Sequence, residues 1–374
     1  MKIMHMADFH LDSAFSGFEK SRAEEKREEL RACFKRAMKI AKEKNVKLVL
    51  IAGDLFDTPF CSLSTRKAVF EAIAEAGCPV VISPGNHDYY NKNGTYADEE
   101  LPENAFVFTS NELGRFDFDD IGVSVIGYAF TSDRYEENPL AMDVPISKEN
   151  INILCAHAEL GAPLSKYAPI NQNAILLHCF TYAALGHVHI APEPIRSGKS
   201  LIAYSGFPQG RSFDELGEGG AYVVDIDIET KSVTLERVVL SQTVYETEKM
   251  DVSGLGSDED VIRKISRILS ERGYGENVAL RIKLTGSVLS EYSMDLARIE
   301  SDPSLPRLTL LQIKNESAAT FDLDYLKTDM TVRGEVYRKL LTMLESPDEY
   351  ERQKAALALK FALAALDKRE FFVD

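Results

Sequence analysis

Histidine is scarce in this chain, seven in 374 residues, yet five of the seven fall in short motifs with Asp, Asn or Gly. The motifs are Asp8-Phe9-His10, Gly53-Asp54, Gly85-Asn86-His87-Asp88, Ala156-His157 and Gly186-His187-Val188-His189. Oxygen and imidazole donors without thiolate suit divalent Mn, Fe, Zn or Co rather than copper(I) or an iron–sulfur cluster. In extended backbone alternate side chains point the same way, so Asp8 and His10 are expected to face together, as are His187 and His189. Each pair can grip one cation or flank two. With Asp8, Asp54, Asn86 and four neutral histidines around two divalent ions and a bridging hydroxide, about +1 remains in the pocket, which traps anions. Two cations roughly 3.5–4 Å apart can clamp a phosphate, activate water and stabilise the attacking and leaving oxygens of an in-line displacement. Phosphoester hydrolysis is the chemistry expected.

The elements around these motifs follow from periodicity. Residues 2–7 alternate as a strand ending at Asp8, and Lys47–Ala52 forms another ending at Gly53-Asp54. Between them Leu30, Phe34, Ala37, Met38 and Ala41 recur at helical spacing. A helix over Arg66–Ala76 precedes the strand Pro79–Ile82, which ends at the Gly85-Asn86-His87-Asp88 motif. Such alternation implies parallel crossovers, whose ligands gather beyond the carboxyl ends of the strands. Strands at Val123–Tyr128, Ile151–Ala156, Ala183–Leu185, Leu201–Tyr204, Ala221–Ile228 and Ser232–Val239 follow in hairpin-like succession, so a mixed sheet or a two-sheet sandwich is expected. The pattern restarts after Asp251, with a helix carrying Val261, Ile262, Ile265, Ile268 and Leu269 and strands at 278–284 and 308–313. A last Ala- and Leu-rich helix opens at Ser346-Pro347-Asp348-Glu349, with Ser346 expected as N-cap and Glu349 as its capping-box partner.

Composition sets limits. The formal net charge of −16 argues against a broad cationic nucleic-acid surface, because phosphate contacts come from Lys and Arg. Bound cations relieve that tension, since their charge is absent from the Lys and Arg count. A content of 45% hydrophobic and 27% charged residues is that of a folded chain. No run of 18 apolar residues offers a membrane span, and the first strand leaves no room for a signal peptide. Five scattered cysteines without CxxC pairing read as reduced thiols of a cytoplasmic protein.

Asp-x-His, Gly-Asp, Gly-Asn-His-Asp, a lone His and Gly-His-x-His, in that order over roughly residues 1–240, resemble the calcineurin-like metallophosphoesterase superfamily. The stretches His5–Asp12, Gly53-Asp54-Leu55-Phe56-Asp57 and Tyr204–Phe213 are similar to its DNA-repair exonuclease branch, which includes SbcD, the YhaO-type proteins and the meiotic-recombination nucleases. The resemblance implies an α+β, α/β-like fold: a two-sheet metallophosphoesterase sandwich flanked by helices (1–250), a smaller α/β capping domain (251–330) and a C-terminal helical partner-docking segment (331–374). It implies that Asp8, His10, Asp54 and His189 bind one metal, with Asp54 bridging, and that Asn86, His157 and His187 complete the second. His87 would be catalytic, with Asp88 orienting its imidazole. The metals would be two divalent ions, Mn2+ first, with Fe2+, Zn2+ or Co2+ as alternatives. Implied partners are DNA, a coiled-coil ATPase of the SbcC type and a second copy of the chain.

Other features have plainer readings. His5 and His178 are read as structural, and Cys155, within a buried strand, as an inert thiol. The mixed Lys, Arg and Glu of residues 20–47 form a solvated, salt-bridged face first and a DNA contact second. Arg196, Lys199 and Arg211 are candidate contacts to substrate phosphates. The leading reading is thus a two-metal DNA exonuclease or endonuclease of DNA repair. The alternatives are a metallophosphoesterase acting on nucleotides, cyclic nucleotides or phosphoproteins, and a scaffold subunit for an ATPase with weak hydrolysis of its own.

Overall fold

The structure, a computed structural model, describes residues 1–141, 143–289, 292–320 and 323–366. The chain divides into two units, Met1–Glu246 and Thr247–Asp374. The first unit begins β1 (Lys2–Met6), α1 (Lys20–Glu43), β2 (Leu48–Ile51), α2 (Leu63–Glu75), β3 (Val80–Ile82) and β4 (Ala105–Val107). It continues through β5 (Gly114–Phe118), β6 (Val123–Gly127), β7 (Ile151–His157), β8 (Glu159–Leu160), β9 (Pro169–Ile170) and α3 (Gln172–Leu177). Last come β10 (Tyr182–Gly186), β11 (Ile195–Ser197), β12 (Ser200–Tyr204), β13 (Gly220–Ile226), β14 (Val233–Val239) and the start of β15 (Val244–Asp251).

Two six-stranded mixed sheets result, ordered β14-β13-β1-β2-β3-β4 and β11-β12-β10-β7-β6-β5. Apolar residues on both faces of β1, β2, β7 and β10 bury these strands completely apart from Lys2, as central strands covered on two sides require. One core joins the first sheet to α1 and α2 through Met4, Phe34, Met38, Ile51 and Ile73. A second lies between the sheets, with Ile3, Leu50, Val81, Val125, Ile153 and Ala184. In register, Met6 lies beside Ile51 and Ile51 beside Ile82, while His157 lies beside Gly186. The carboxyl ends of five strands are thereby level, three in one sheet and two in the other. Where the sheets meet, a Cβ on Gly186 would lie 1.9 Å from the Ala52 carbonyl oxygen, so only glycine permits this approach.

The charged face of α1 is less solvated than expected. Arg22–Glu25, Arg27–Glu24 and Lys26–Glu29 do pair one turn apart. Lys26 and Arg31 are nevertheless buried, Lys26 over the Tyr245 ring and Arg31 against Thr65, Glu24 and Glu28. Burying a charge requires such partners. His5 is structural, held between Tyr182 Oη at 2.7 Å and the Leu185 carbonyl at 3.1 Å. His178 likewise meets the Leu140 carbonyl, and Cys155 is fully buried with its thiol pushed up by burial.

Burial lowers the His5 pKa from 6.5 to about 3, so the folded protein holds it neutral while the unfolded chain takes a proton below pH 6.5. Its contribution to stability is whole above that value and is lost as the pH falls from 6.5 towards 3. Between pH 6.5 and 5 the loss is about 2 kcal/mol. In urea titrations at pH 7.5 and 5, H5Q is expected to show a smaller acid-induced drop than the native chain; an equal drop would refute this.

The second unit carries β15 onward into α4 (Asp258–Arg272), β16 (Val278–Thr285), β17 (Ser287–Leu289), α5 (Leu296–Glu300), β18 (Leu310–Asn315), β19 (Ala318–Thr320), α6 (Leu323–Thr328), α7 (Val332–Leu344) and α8 (Glu349–Leu366). Its main sheet is β15-β16-β18, packed with Val261, Ile265 and Leu269 of α4. Ser257 caps α4 and Gly273 ends it in left-handed backbone. Leu326, Tyr337, Leu359 and Leu363 join the last three helices. Helix α8 starts at Glu349, two residues beyond the expected Pro347. The Asp348 carboxylate accepts from Tyr350 N at 2.9 Å, while Ser346 Oγ accepts only from Asp348 N. Asp348, not Ser346, therefore satisfies the first turn. Residues 367–374 of the expected docking segment lie outside the described residues.

Candidate metal centre

The chain leaves β1, β2 and β10 through left-handed backbone: φ is 56° at Asp8, 46° at His10, 49° at Asp54 and 102° at His187. Non-glycine residues take such φ values at a cost of order 1–3 kcal/mol each, and they persist only where surrounding bonds impose them. Here Asp8 N donates to Gly53 O, His10 N to Asp54 O and Leu11 N to Leu55 O, extending the β1–β2 pairing past both strands. The expectation that Asp8 and His10, or His187 and His189, align through strand pleating is thus corrected. They converge because tight, hydrogen-bonded turns aim them. Gly53, at φ 88°, leaves room for His157, whose Nδ1 would lie 2.3 Å from a Cβ there.

Among the described residues, three groups hold donor atoms within 4.8 Å of one another: Asp8, His10 and His189; Asp8, Asp54 and His157; and His10, Asp54 and His87. Asp54 Oδ2 lies between two imidazoles, 3.6 Å from His10 Nε2 and 3.4 Å from His157 Nε2. Asn86 Oδ1 is 2.9 Å from His157 Nε2. His187 N donates to both Asp8 oxygens, and its ring lies 5.1 Å from that of His157, with Tyr167 packed 4.7 Å away on it. The structure thus brings together Asp8, His10, Asp54, Asn86, His157, His187 and His189, with His189 beside His10 and His187 beside His157.

Hydrogen bonding fixes which nitrogen is available. His157 Nδ1 faces the Ala52 carbonyl at 3.0 Å, His10 Nδ1 faces Asp57 Oδ1 at 3.0 Å and His189 Nδ1 faces Glu215 Oε1 at 2.8 Å. These oxygens only accept, and at His189 Nδ1 the Glu215 oxygen is much nearer than the Arg211 Nη2 donor at 3.4 Å, so each Nδ1 carries a proton and each ring, when neutral, presents an Nε2 lone pair. Those lone pairs point at further acceptors: His10 Nε2 and His189 Nε2 are 3.2 Å apart, and His157 Nε2 meets Asn86 Oδ1 and Asp54 Oδ2. Lone pairs so opposed repel in a buried site, and divalent cations between them remove the repulsion. The donor set therefore fits metal, with Asp54 Oδ2 between His10 and His157.

The electrostatics differ from donor to donor: burial lowers the His10 imidazole, whereas at His189 burial is outweighed by the Glu215 hydrogen bond and Asp8, which raise it. Burial raises the Asp8 carboxyl to about 6, despite the opposing effect of His157 and His189. Burial also pushes Asp54 up, but His157, His10 and His87 outweigh it and hold it ionised below the usual range. His187 is lowered to about 4 by burial and by His157.

Three expected roles change. Asp88 does not orient His87; its buried carboxylate accepts from the backbone N–H of Gly85, Asp54, Leu55 and Phe56 and from the Tyr96 hydroxyl. It ties two metal-bearing loops together, because four convergent N–H groups hold a carboxylate more strongly than one exposed imidazole can. His87, 46% exposed, instead has Nδ1 3.4 Å from the Asp57 carbonyl, while its backbone N donates to Asp54 Oδ1. Arg196 and Lys199 lie far from the centre. Arg196 pairs with Leu201, which pairs with Tyr182, four residues before the site end of β10 and so about 13 Å away. Arg196 bonds the Val233 carbonyl there, and Lys199 sits in the turn beyond. Only Arg211 reaches the site, and it binds Glu215 and approaches Asp57. Glu215 and Asp57 were not among the expected site residues. The i,i+4 spacing of Arg211 and Glu215 was the available signal for the first, and adjacency to the Gly53-Asp54 motif for the second.

The calcineurin-like phosphoesterase family matches residues 1–191. The chain is 27% identical over 301 residues to a Bacillus subtilis protein named uncharacterized metallophosphoesterase YhaO, spanning 77% of this chain and 72% of that one. It is 26% identical over 303 residues to SbcD of Staphylococcus epidermidis, a component of the nuclease SbcCD, with 73% and 77% covered. The DNA double-strand break repair protein Mre11 of Aeropyrum pernix is 26% identical over 292 residues, with 72% and 68% covered. With that match across more than half its length, on a domain whose strand ends gather buried oxygen and imidazole donors, the chain belongs to the calcineurin-like phosphoesterase family, metal-dependent hydrolases of phosphoester bonds.

Proposed function

We propose that the protein is a two-metal DNA nuclease of DNA repair, with manganese as its working ion. The observation that carries the metal centre is the set of opposed lone pairs around Asp54 Oδ2, with Asp8, His10 and His189 on one side and Asn86, His157 and His187 on the other. Bound there, divalent cations supply Lewis acidity towards the phosphate and a water of low pKa as nucleophile. The chain's part is to hold the donors rigid, keep Asp54 ionised and place the half-exposed His87 at the mouth of the site, where it can donate a proton to the leaving oxygen. The choice of DNA rests on the relatives, two of which are named as a nuclease component and a double-strand break repair protein. Residues 251–330 would cap the substrate. Residues 331–374 would dock a coiled-coil ATPase of the SbcC type in the cytoplasm, a reading supported by the exposure of Tyr350 and Leu357 on α8.

A second reading, hydrolysis of a nucleotide or phosphoprotein, draws on the −16 charge and on the distance of Arg196 and Lys199 from the centre. One panel separates them. The full chain with Mn2+ is offered single-stranded DNA, duplex ends, nucleotides, cyclic nucleotides and a phosphopeptide. Chelator-sensitive DNA cleavage is expected to exceed the other activities; turnover of nucleotides or phosphopeptide without DNA cleavage overturns the nuclease.

A further inference from the structure

Arg211 and Glu215 lie outside the donor set, yet their bonds converge on it. Glu215 is buried, and its two oxygens are fully engaged. Oε1 accepts from His189 Nδ1 at 2.8 Å and from Arg211 Nη2 at 2.6 Å; Oε2 accepts from the Arg211 backbone N at 2.8 Å. Arg211 Nε spans both, at 3.1 and 3.3 Å. A carboxylate gripped from its fork and from the backbone cannot rotate, so the His189 ring that donates to it cannot either.

The other end of the guanidinium reaches His10 twice. Arg211 Nη1 lies 3.6 Å from Asp57 Oδ1, the oxygen that accepts the hydrogen bond from His10 Nδ1. The same Nη1 donates to Ser13 Oγ at 3.3 Å, and Ser13 Oγ donates to the His10 carbonyl at 2.7 Å. One arginine therefore links the backbone and ring of His10 to the ring of His189. The two carboxylates and one guanidinium leave a net negative charge behind the imidazoles.

We infer that Arg211, Glu215 and Asp57 form a positioning frame that locks His189 and His10 as Nδ1–H tautomers with both Nε2 atoms turned to where one cation would be held, so setting the affinity of the Asp8, His10 and His189 pole. The inference rests on the metal-centre reading and makes Arg211 a positioning residue rather than a contact to substrate phosphate.

The test is a Mn2+ titration of the chelator-stripped full chain by calorimetry, with Mn2+ paramagnetic resonance counting bound ions. E215A is expected to weaken one of two sites by about 10- to 100-fold, and E215Q, which keeps an acceptor for His189 Nδ1, by less. R211A is expected to weaken the same site although it contributes no donor, and R211A/E215A to lose little more than the worse single variant, as members of one unit do. Wild-type affinity at both sites in E215A and R211A overturns the frame, as does an R211A defect confined to KM for substrate. Should E215A show no cooperative melting, E215Q and R211A carry the comparison. A native chain that binds no Mn2+ overturns the metal centre and the frame together; native binding with unaffected variants overturns the frame alone.

Discussion

D54N is expected to reduce bound Mn2+ from two ions per chain to one or none and to lower phosphodiester hydrolysis by at least roughly 1,000-fold. Outer partners of metal ligands alone contribute about 10–100-fold, and Asp54 stands between the His10 and His157 halves of the site, sharing a donor group with each. Its Oδ2 lies 3.6 Å and 3.4 Å from the Nε2 atoms of His10 and His157. Its Oδ1 accepts from His87 N, anchoring the next loop. The amide removes the charge that opposes two cations and turns one lone-pair site into a donor, which faces a metal badly. The fold should tolerate the change, because the loop is also held by Asp88 through Asp54 N, Leu55 N and Phe56 N. Metal analysis by mass spectrometry and thermal melting in chelator check both halves. Two retained ions, or a collapsed metal-free protein, would contradict a bridging role for Asp54.

H87A is expected to slow kcat by roughly 100- to 10,000-fold, the usual range for a lost proton donor, with metal content unchanged. His87 is the exposed imidazole of the cluster, its ring 4.6 Å from that of His10. Its Nδ1 lies against the Asp57 carbonyl, which leaves Nε2 for the substrate. The leaving group decides between roles. A nitrophenolate departs without a proton, whereas a DNA alkoxide needs one. H87A should therefore be far less impaired on bis(p-nitrophenyl) phosphate than on DNA. Equal losses on both, with one ion missing, would make His87 a ligand instead, a role its 4.8 Å proximity to His10 and Asp54 also permits.

Much of the site is readable along the chain because donor chemistry belongs to residue type. Asp8, His10, Asp54, Asn86, His187 and His189 each follow a strand and His157 ends one, and strands that alternate with helices level their carboxyl ends by parallel pairing. The same periodicity marks β1, β2, β3, β7 and β10 to within a residue or two. Short strands with weak patterns, such as β4 and β5, were not legible. The three residues of β4 are all half-buried and show no alternation, while β5 alternates exposed Arg115 and Asp117 with Phe116 and Phe118 over only five residues, too short a run to stand out. In α1, Lys26 and Arg31 look like solvated charges, since the residues that cover them, Tyr245 and Thr65, lie far along the chain.

Residue type and order establish what the site is made of: seven oxygen and nitrogen donors, no thiolate, and their succession on strand ends. How those donors are aimed is a property of the folded chain. Left-handed φ values at Asp8, His10, Asp54 and His187 are imposed by hydrogen bonds from neighbouring loops, and an isolated motif carries no trace of them. Whether Asp88 faces His87 or four backbone amides, and whether Arg211 faces solvent or Glu215, depends on groups that folding brings near. A donor's identity is a covalent property of one residue. Its direction and protonation are set by the nearest partners in space, and for His189 and His10 those partners sit 26 and 47 positions away.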